Sequence, residues 1–392
     1  LQPQPSLSGM AVTDDAKEVA LGMVDVGTLA ELKGVSRSWL ALARRVLCSR
    51  LSRCEGQPAP TQMAEITDLN IKVLVDAGRP WEAAAAGRML PSLARLRWEG
   101  FTVNVAAVRE VDLRTPRQER EFLGGRAKAA LLSCIEGEGE PPLELLLAAV
   151  ACAGSGEIRG IPVQMMRDDS VSELDLQDVI QDRNIGVEGG MLLAYLVPVM
   201  GALTSIDLSD NQLCGVRIDH RGRVRGTYTA EGIIAIADAL RVNGALTSIK
   251  LRGNKLGDEG WGAIFAAICG NKDSKIMSMN AFWENIGPAG VKLIAEALRT
   301  SVTGALTSVD LRGNKLGDEG WGAIFAAICG NKDSKIMSMD VSGEDIGPAG
   351  VKLIAKALRT SVTGALTSVD LGGNELGDEG WGAIFAAICG NK

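Results

Sequence analysis

Few residues in this chain have the types and spacing that chemistry would need. One histidine, His220, stands among 392 residues, so no Ser-His-Asp arrangement can recur and no multi-histidine metal site can form. The acid pairs Asp258-Glu259, Asp318-Glu319 and Asp378-Glu379 look like paired catalytic carboxylates. They recur at one offset, at the start of expected helices, where capping and the helix dipole account for them. Glycine pairs such as Gly260 and Gly262 open helices in the same pattern, and no phosphate-cradling loop occurs. The eight cysteines (48, 54, 134, 152, 214, 269, 329, 389) form no Cys-x-x-Cys pair. Reduced, mostly buried thiols in a cytoplasmic or nuclear protein are therefore expected. Trp261, Trp321 and Trp381 share one helix position and are read as core or ridge packing rather than as a platform for bases. The reading is no catalytic residue, no metal site and no cofactor.

His220 lies in 214–229, where Val216, Ile218 and Val224 alternate with Arg217, Arg223 and Arg225 around Asp219-His220-Arg221-Gly222. That pattern predicts a basic hairpin. Two readings stand: a solvated insertion, or a contact for an anion or an acidic partner.

The elements that carry these residues come from repetition. Residues 246–305 and 306–365 are the same sixty residues apart from 249, 250, 280, 281, 282, 283, 285 and 296, and 366–392 begins a third copy. Each sixty splits into two thirties with apolar residues at matching offsets: Leu246, Ile249, Leu251, Leu256, Ile264 and Ile268 against Ile276, Met279, Ala281, Ile286, Ile294 and Leu298. A unit of about thirty residues cannot bury its apolar face alone and must stack on its neighbours. Within one unit, Val309 and Leu311 face inward by strand alternation while Asp310 and Arg312 face out. Gly313-Asn314 turns the chain and Leu316 returns to the core. Asp318 is expected to cap a helix whose stripe is Trp321, Ile324, Phe325 and Ile328 and which stops at Gly330-Asn331. Alternate units begin their helix with Pro288 or Pro348.

The string L-x-x-I-x-L-x-x-N-x-L-x-x-x-G-x-x-x-I-x-x-x-I at 246–268 resembles the leucine-rich repeat in its long, ribonuclease-inhibitor-like subtype. Seven units follow it: 171–202, 203–245, 246–275, 276–305, 306–335, 336–365 and 366–392. The resemblance implies an α/β solenoid, with parallel strands on a concave face and helices on a convex one. It also implies protein binding without catalysis. The same solenoid serves GTPase activators similar to the Ran-activating family, intracellular inhibitors and the sensor ends of NOD-like receptors, so fold alone does not select among them. The family's asparagine stands at 211, 254, 314 and 374, but Glu284 and Glu344 replace it in alternate units. A carboxylate accepts and cannot donate, so a rearranged or hydrated ladder and a looser turn are expected there.

Ahead of the solenoid, 12–50 carries a helical stripe of Leu29, Leu32, Val35, Trp39 and Leu42. The string at 29–43 resembles the second half of an F-box, though the family's opening Leu-Pro is absent. The resemblance implies docking to a Skp-type adaptor and a role as substrate receptor of a cullin-type ubiquitin ligase; a plain helical cap is the other reading. A linker at 51–62 and a mainly helical domain or cap at 63–170 follow, with a strand expected at 161–165 leading into the first repeat. Net charge is −7, which gives no nucleic-acid footprint. No apolar run reaches the roughly 18–20 residues that span a bilayer, and no basic-then-apolar signal segment opens the chain. The last helix ends without a capping unit, so truncation at the C-terminus is expected, as is a monomer.

Five of the eight differences between the copies fall on strand-outward or adjacent turn positions: Lys250/Asp310, Asn280/Asp340, Phe282/Ser342, Trp283/Gly343 and Asn285/Asp345. The helix surface changes once, Glu296/Lys356. Drift concentrated on one face predicts a recognition surface, against neutral drift at exposed sites. Phe282 and Trp283 are the expected anchors among Lys250, Arg252, Asn280, Asp310, Arg312, Asp340 and Asp370.

Overall fold

The computed structural model describes residues 67–390, apart from 91, 115–121, 179–183, 219–220 and 222. The F-box-like segment, the linker and His220 lie outside the described residues. The described chain forms two compact units, one of residues 67–110 and 131–153 and one of 111–130 and 154–390.

The first unit has helices, and it also has a four-stranded sheet that the helical reading of 63–170 does not contain. Its strands are β1 (Asp68–Asn70), β2 (Arg95–Trp98), β3 (Phe101–Asn104) and β4 (Ile135–Glu136), in that order. The Ala-rich stretch from residue 82 is helical only over Glu82–Met89 before the chain turns into β2. There Leu96 is buried and Arg95 and Arg97 reach out to share Asp68. That two-residue alternation, closed by Gly100 at φ +74° into the hairpin with β3, is a strand signal which the neighbouring alanines mask. Helix Leu143–Ala153 is buried along nearly its whole length, and Gly87 lies so close to it that a Cβ would meet the Cys152 carbonyl oxygen at 2.0 Å.

The second unit is a stack of strand–turn–helix coils. Its strands are β5 (Glu173–Asp175), β6 (Ser205–Asp207), the inserted hairpin β7 (Val216–Ile218) and β8 (Val224–Gly226), then β9 (Ser248–Lys250), β10 (Ser278–Asn280), β11 (Ser308–Asp310), β12 (Ser338–Asp340) and β13 (Ser368–Asp370). The coil strands pair in parallel in equivalent register, Ile206 with Ile249 and Met279 with Val309. The strand expected at 161–165 is instead helix Val163–Arg167. Ile158 and Ile161 bridge across a tight turn and Pro162 then opens the helix, a place where proline's fixed φ is helix-compatible. The first repeat strand is β5. The coil helices, such as Gly317–Gly330, bury Trp321, Ile324, Phe325 and Ile328 as expected, and Trp261 and Trp321 are fully inside. Cys134, Cys152, Cys214, Cys269 and Cys329 are buried and Cys389 is exposed.

The ladder behind the strands explains why the period is sixty rather than thirty. Asn314 Nδ2 donates to Leu311 O of its own coil and to Ala281 O of the coil before it, at 2.8 and 2.7 Å. Its Oδ1 accepts from Glu284 N and Ile286 N, both at 3.0 Å. Asn254 and Asn374 repeat the pattern. One buried amide therefore satisfies strand-end groups of two coils, so coils 276–305 and 336–365 need no asparagine, although Asn211, one coil before Asn254, makes the same bond back to Leu176 O. Glu284 and Glu344 do what a carboxylate can: each accepts one N–H, from Gly253 at 3.2 Å and Gly313 at 2.7 Å. The ladder is rearranged, but the turn is not looser. Trp283 and Asn285 adopt φ +57° and +58°, beside +78° and +56° at Gly253 and Lys255.

A second ladder runs at the helix exits, where Asn243 Nδ2 donates to Val197 O. Asn271 Nδ2 donates to Leu240 O and Asn243 O, and Asn331 Nδ2 to Leu298 O and Ser301 O. Asp318 supplies a third link, and here the capping expectation is corrected. It sits in the first turn of its own helix, where Leu316 is the N-cap residue and no side chain caps. Its Oδ1 accepts from Gly347 N at 2.9 Å, the N-cap of the next coil's helix; Asp258 does the same for Gly287. A helix opened by proline has no side-chain cap of its own here, and the preceding coil provides one.

Two consequences are measurable. Asn314→Ala strips partners from two buried carbonyls and two N–H groups, so the unfolding free energy in urea falls by about 3 kcal/mol; a loss below about 1 kcal/mol would contradict the bridging role. Burial pushes the Glu284 carboxyl above its ordinary value, against the opposing pull of the Gly253 N–H, Lys255, Arg252 and the Trp261 indole. With the folded pKa above the unfolded one, the carboxyl's contribution is complete below about pH 4.3 and is lost as pH rises through the folded value. The stability of the natural chain relative to Glu284→Gln therefore falls between pH 4 and pH 7 in urea titrations, and a rise would contradict the assignment.

Candidate functional site

The outward strand residues and the turns that follow them lie on one side of the stack, whose strands hydrogen-bond in two sheets, β5-β6-β9 and β10-β11-β12-β13. The side chains there divide into those held by the frame and those left to solvent. Most outward strand residues belong to the frame. Asp175, Asp207, Asn280, Asp310, Asp340 and Asp370 each accept the N–H two residues on, at 2.8 to 3.1 Å. This Asx turn ends the strand and starts the bend. The acids expected as contact residues thus have a structural task that sequence reading missed, although Asp or Asn followed two residues later by the bend was its visible signal. Lys250 cannot accept, and it bridges instead to Asp207 at 2.9 Å.

Arg312 is also held. Its guanidinium forks onto Asp310 at 3.0 and 2.9 Å and reaches Asp340 of the next coil. These hydrogen bonds and charges push its already high pKa further up. Asp340 is lowered: burial works against its charge, but the Ser342 and Arg312 bonds outweigh it. The guanidinium carbon stands 5.7 Å from the centre of the Phe282 ring, within cation–π range.

Phe282 and Trp283 differ in kind from every neighbour. Their rings stack at 5.8 Å with planes 22° apart, and they remain 43% and 72% exposed. Equivalent positions to Trp283 hold Asp210, Gly253, Gly313, Gly343 and Gly373, all at positive φ. Only Trp283 places a bulky side chain in this left-handed conformation, which costs an L-residue roughly 1–2 kcal/mol. Its indole lies flat over Gly313, where a Cβ would come within 1.6 Å of Cδ1. The structure therefore brings Phe282, Trp283, Arg312, Asp310 and Asp340 together. Arg252 is exposed one coil earlier, and Asp370 lies beyond Asp340 in register.

The expected hairpin is present. Arg217 pairs with Arg225 across β7 and β8, and Arg217, Arg221, Arg223 and Arg225 are exposed. Tyr228 anchors its return by donating to Leu256 O at 2.7 Å. Nothing brings the hairpin to the aromatic pair. The adaptor-docking residues Leu29, Leu32, Val35, Trp39 and Leu42 lie outside the described residues. No described helix is long and apolar enough to cross a membrane.

Trp283→Gly restores the residue used by the adjacent coils. It relieves the left-handed strain while adding chain entropy to the unfolded state, so unfolding free energy changes by no more than about 0.5 kcal/mol. A loss above about 2 kcal/mol in urea titration would make the indole a structural member instead.

A family model described as Leucine Rich repeat matches residues 245–265, 306–325 and 366–385. All three segments are coils that carry the bridging asparagine at 254, 314 or 374. No curated protein matches the chain. Three family matches about sixty residues apart, on a stack of parallel strands each followed by a helix, indicate leucine-rich repeats over residues 245–385.

Proposed function

We propose that the chain is a non-enzymatic protein-binding scaffold whose partner seats on the strand face at Phe282–Trp283. Leucine-rich repeats are in general modules for protein contact, and the face supplies what a contact centre needs. Aromatic and arginine side chains dominate such centres because they bury large area at little entropic cost. The observation that carries the proposal is Trp283 itself. A tryptophan left mostly in water, on a backbone conformation that glycine occupies in the next coils, gains little for the fold and much for a partner that covers it. Arg312, pinned by two aspartates, stands over the Phe282 ring and needs no reordering on binding.

A finer reading concerns residues 29–43. Their F-box resemblance makes the scaffold the substrate receptor of a ubiquitin ligase, with Leu29, Leu32, Val35, Trp39 and Leu42 docking a Skp-type adaptor. The adaptor is expected to co-purify with the full chain and to be lost from Leu32→Ala/Trp39→Ala; equal recovery with both would remove this reading and leave the scaffold.

The scaffold itself is tested by selecting random displayed peptides on the immobilised full chain. Enriched sequences are expected to lose at least about tenfold in affinity for Phe282→Ala/Trp283→Gly, the range of a lost hot-spot pair. Enriched sequences that bind the double variant as well as the natural chain would place recognition elsewhere.

A further inference from the structure

From coil 246–275 onward the strand face changes character in one direction, after two coils that carry Asp175 and Asp207 at the strand end. At three equivalent positions, one at the strand end and two in the turn, coil 246–275 carries Lys250, Arg252 and Lys255. Coil 306–335 has Asp310, Arg312 and Lys315 there, and coil 366–390 has Asp370, Gly372 and Glu375. The second and third copies, 306–332 and 366–392, differ only at Arg312/Gly372 and Lys315/Glu375. The alternate coils follow the same course, from Asn280 and Asn285 to Asp340 and Asp345. Every charge change on this face makes the later coil more negative, whereas the single helix change, Glu296 to Lys356, runs the other way. Neutral drift at exposed sites has no preferred sign.

The aromatic pair stands inside this gradient, with cations one coil before it and acids two and three coils after it. Among the described residues, Asp345, Asp370 and Glu375 have no ion-pair partner, and all three are exposed. The side chains between them are small: Ser342, Gly343, Gly372 and Gly373. The surface past Trp283 is thus shallow, acidic and open, while Arg312 is already neutralised by Asp310 and Asp340.

Building on the proposed scaffold role, we infer that the partner is an extended protein segment with one apolar or aromatic anchor and lysines or arginines to one side of it. The anchor seats on Phe282–Trp283 and the basic residues lie over coils 336–365 and 366–390. Strand spacing sets the register. Adjacent coils are about 4.8 Å apart, so Asp345 and Asp370 lie roughly 10 and 14 Å from the aromatic coil, which an extended segment spans in about three to four residues. The opposite flank of the anchor faces Lys250, Arg252 and Lys255 and does not favour further cations.

The displayed-peptide selection also reads the charge of what binds, and so separates this inference from the scaffold reading. Sequences with lysine or arginine about three to five residues to one side of a tryptophan, phenylalanine, leucine or proline are expected. Acidic or uncharged sequences that still depend on Phe282 and Trp283 would overturn the inference and leave the scaffold standing. Sequences indifferent to that pair, or none at all, would overturn both. One selected peptide, labelled for fluorescence anisotropy, is then titrated with the full chain and with Asp345→Lys/Glu375→Lys. Lysine is native to this turn position, which Lys255 and Lys315 occupy in earlier coils. Affinity is expected to fall about tenfold, the sum of a few exposed pairs, with the loss shrinking in high salt. An unchanged affinity would overturn the placement of the basic residues.

Discussion

A buried asparagine amide shared between neighbouring coils is the interaction on which the solenoid depends. A parallel strand that ends in a sharp turn leaves carbonyl and N–H groups pointing inward, and buried backbone groups must be paired. Asn254, Asn314 and Asn374 reach both their own coil and the preceding one. The Asn271 and Asn331 ladder and the Asp258 and Asp318 caps repeat the same directionality. From coil 246–275 onward the polar frame is therefore built in pairs of coils. A sixty-residue period is the smallest unit that carries all three sets of bonds, and copying a single thirty would leave one of them incomplete.

A frame completed inside the coils frees the outer face to vary. The Asx turns commit the first side-chain oxygen of each strand-end Asp or Asn, but the residues two, three and five positions further along the coil carry no such duty. Variation between copies collects there, and it has a direction. Trp283 shows how far the face departs from what folding alone selects, because its backbone conformation is one that the neighbouring coils assign to glycine. Gly313 in turn leaves room for the indole. In the proposed reading, stability and recognition are thus divided between inner and outer atoms of the same turn.

Much of this was legible in the residues. The internal period, the strand alternation of Val309 and Leu311, the helix stripe from Trp321 to Ile328 and the exposed pair at 282–283 all follow from repetition and spacing. What was not legible involved bonds between coils. Asp318 at a helix start reads as a local cap, and only the stacking shows that it serves Gly347. Glu284 in place of asparagine reads as a defect until Asn314 is seen to serve two coils. In the first unit, Arg95–Trp98 is a strand of four residues behind an alanine run, too short for its alternation to stand out. Pro162, next to a run of apolar residues, opens a helix where the pattern suggested a strand.

The central claim is that the frame is shared and rigid while the strand face between Lys250 and Glu375 does the binding. Amide hydrogen exchange of the full chain, with and without a display-selected peptide, tests it most directly. The peptides spanning 280–286 and 340–346 differ in sequence and so can be told apart despite the repeats. Slowed exchange there and in 309–315, with the helix Pro288–Arg299 unchanged, is the predicted result. Protection confined to the helices, or spread evenly through the stack, would contradict the account.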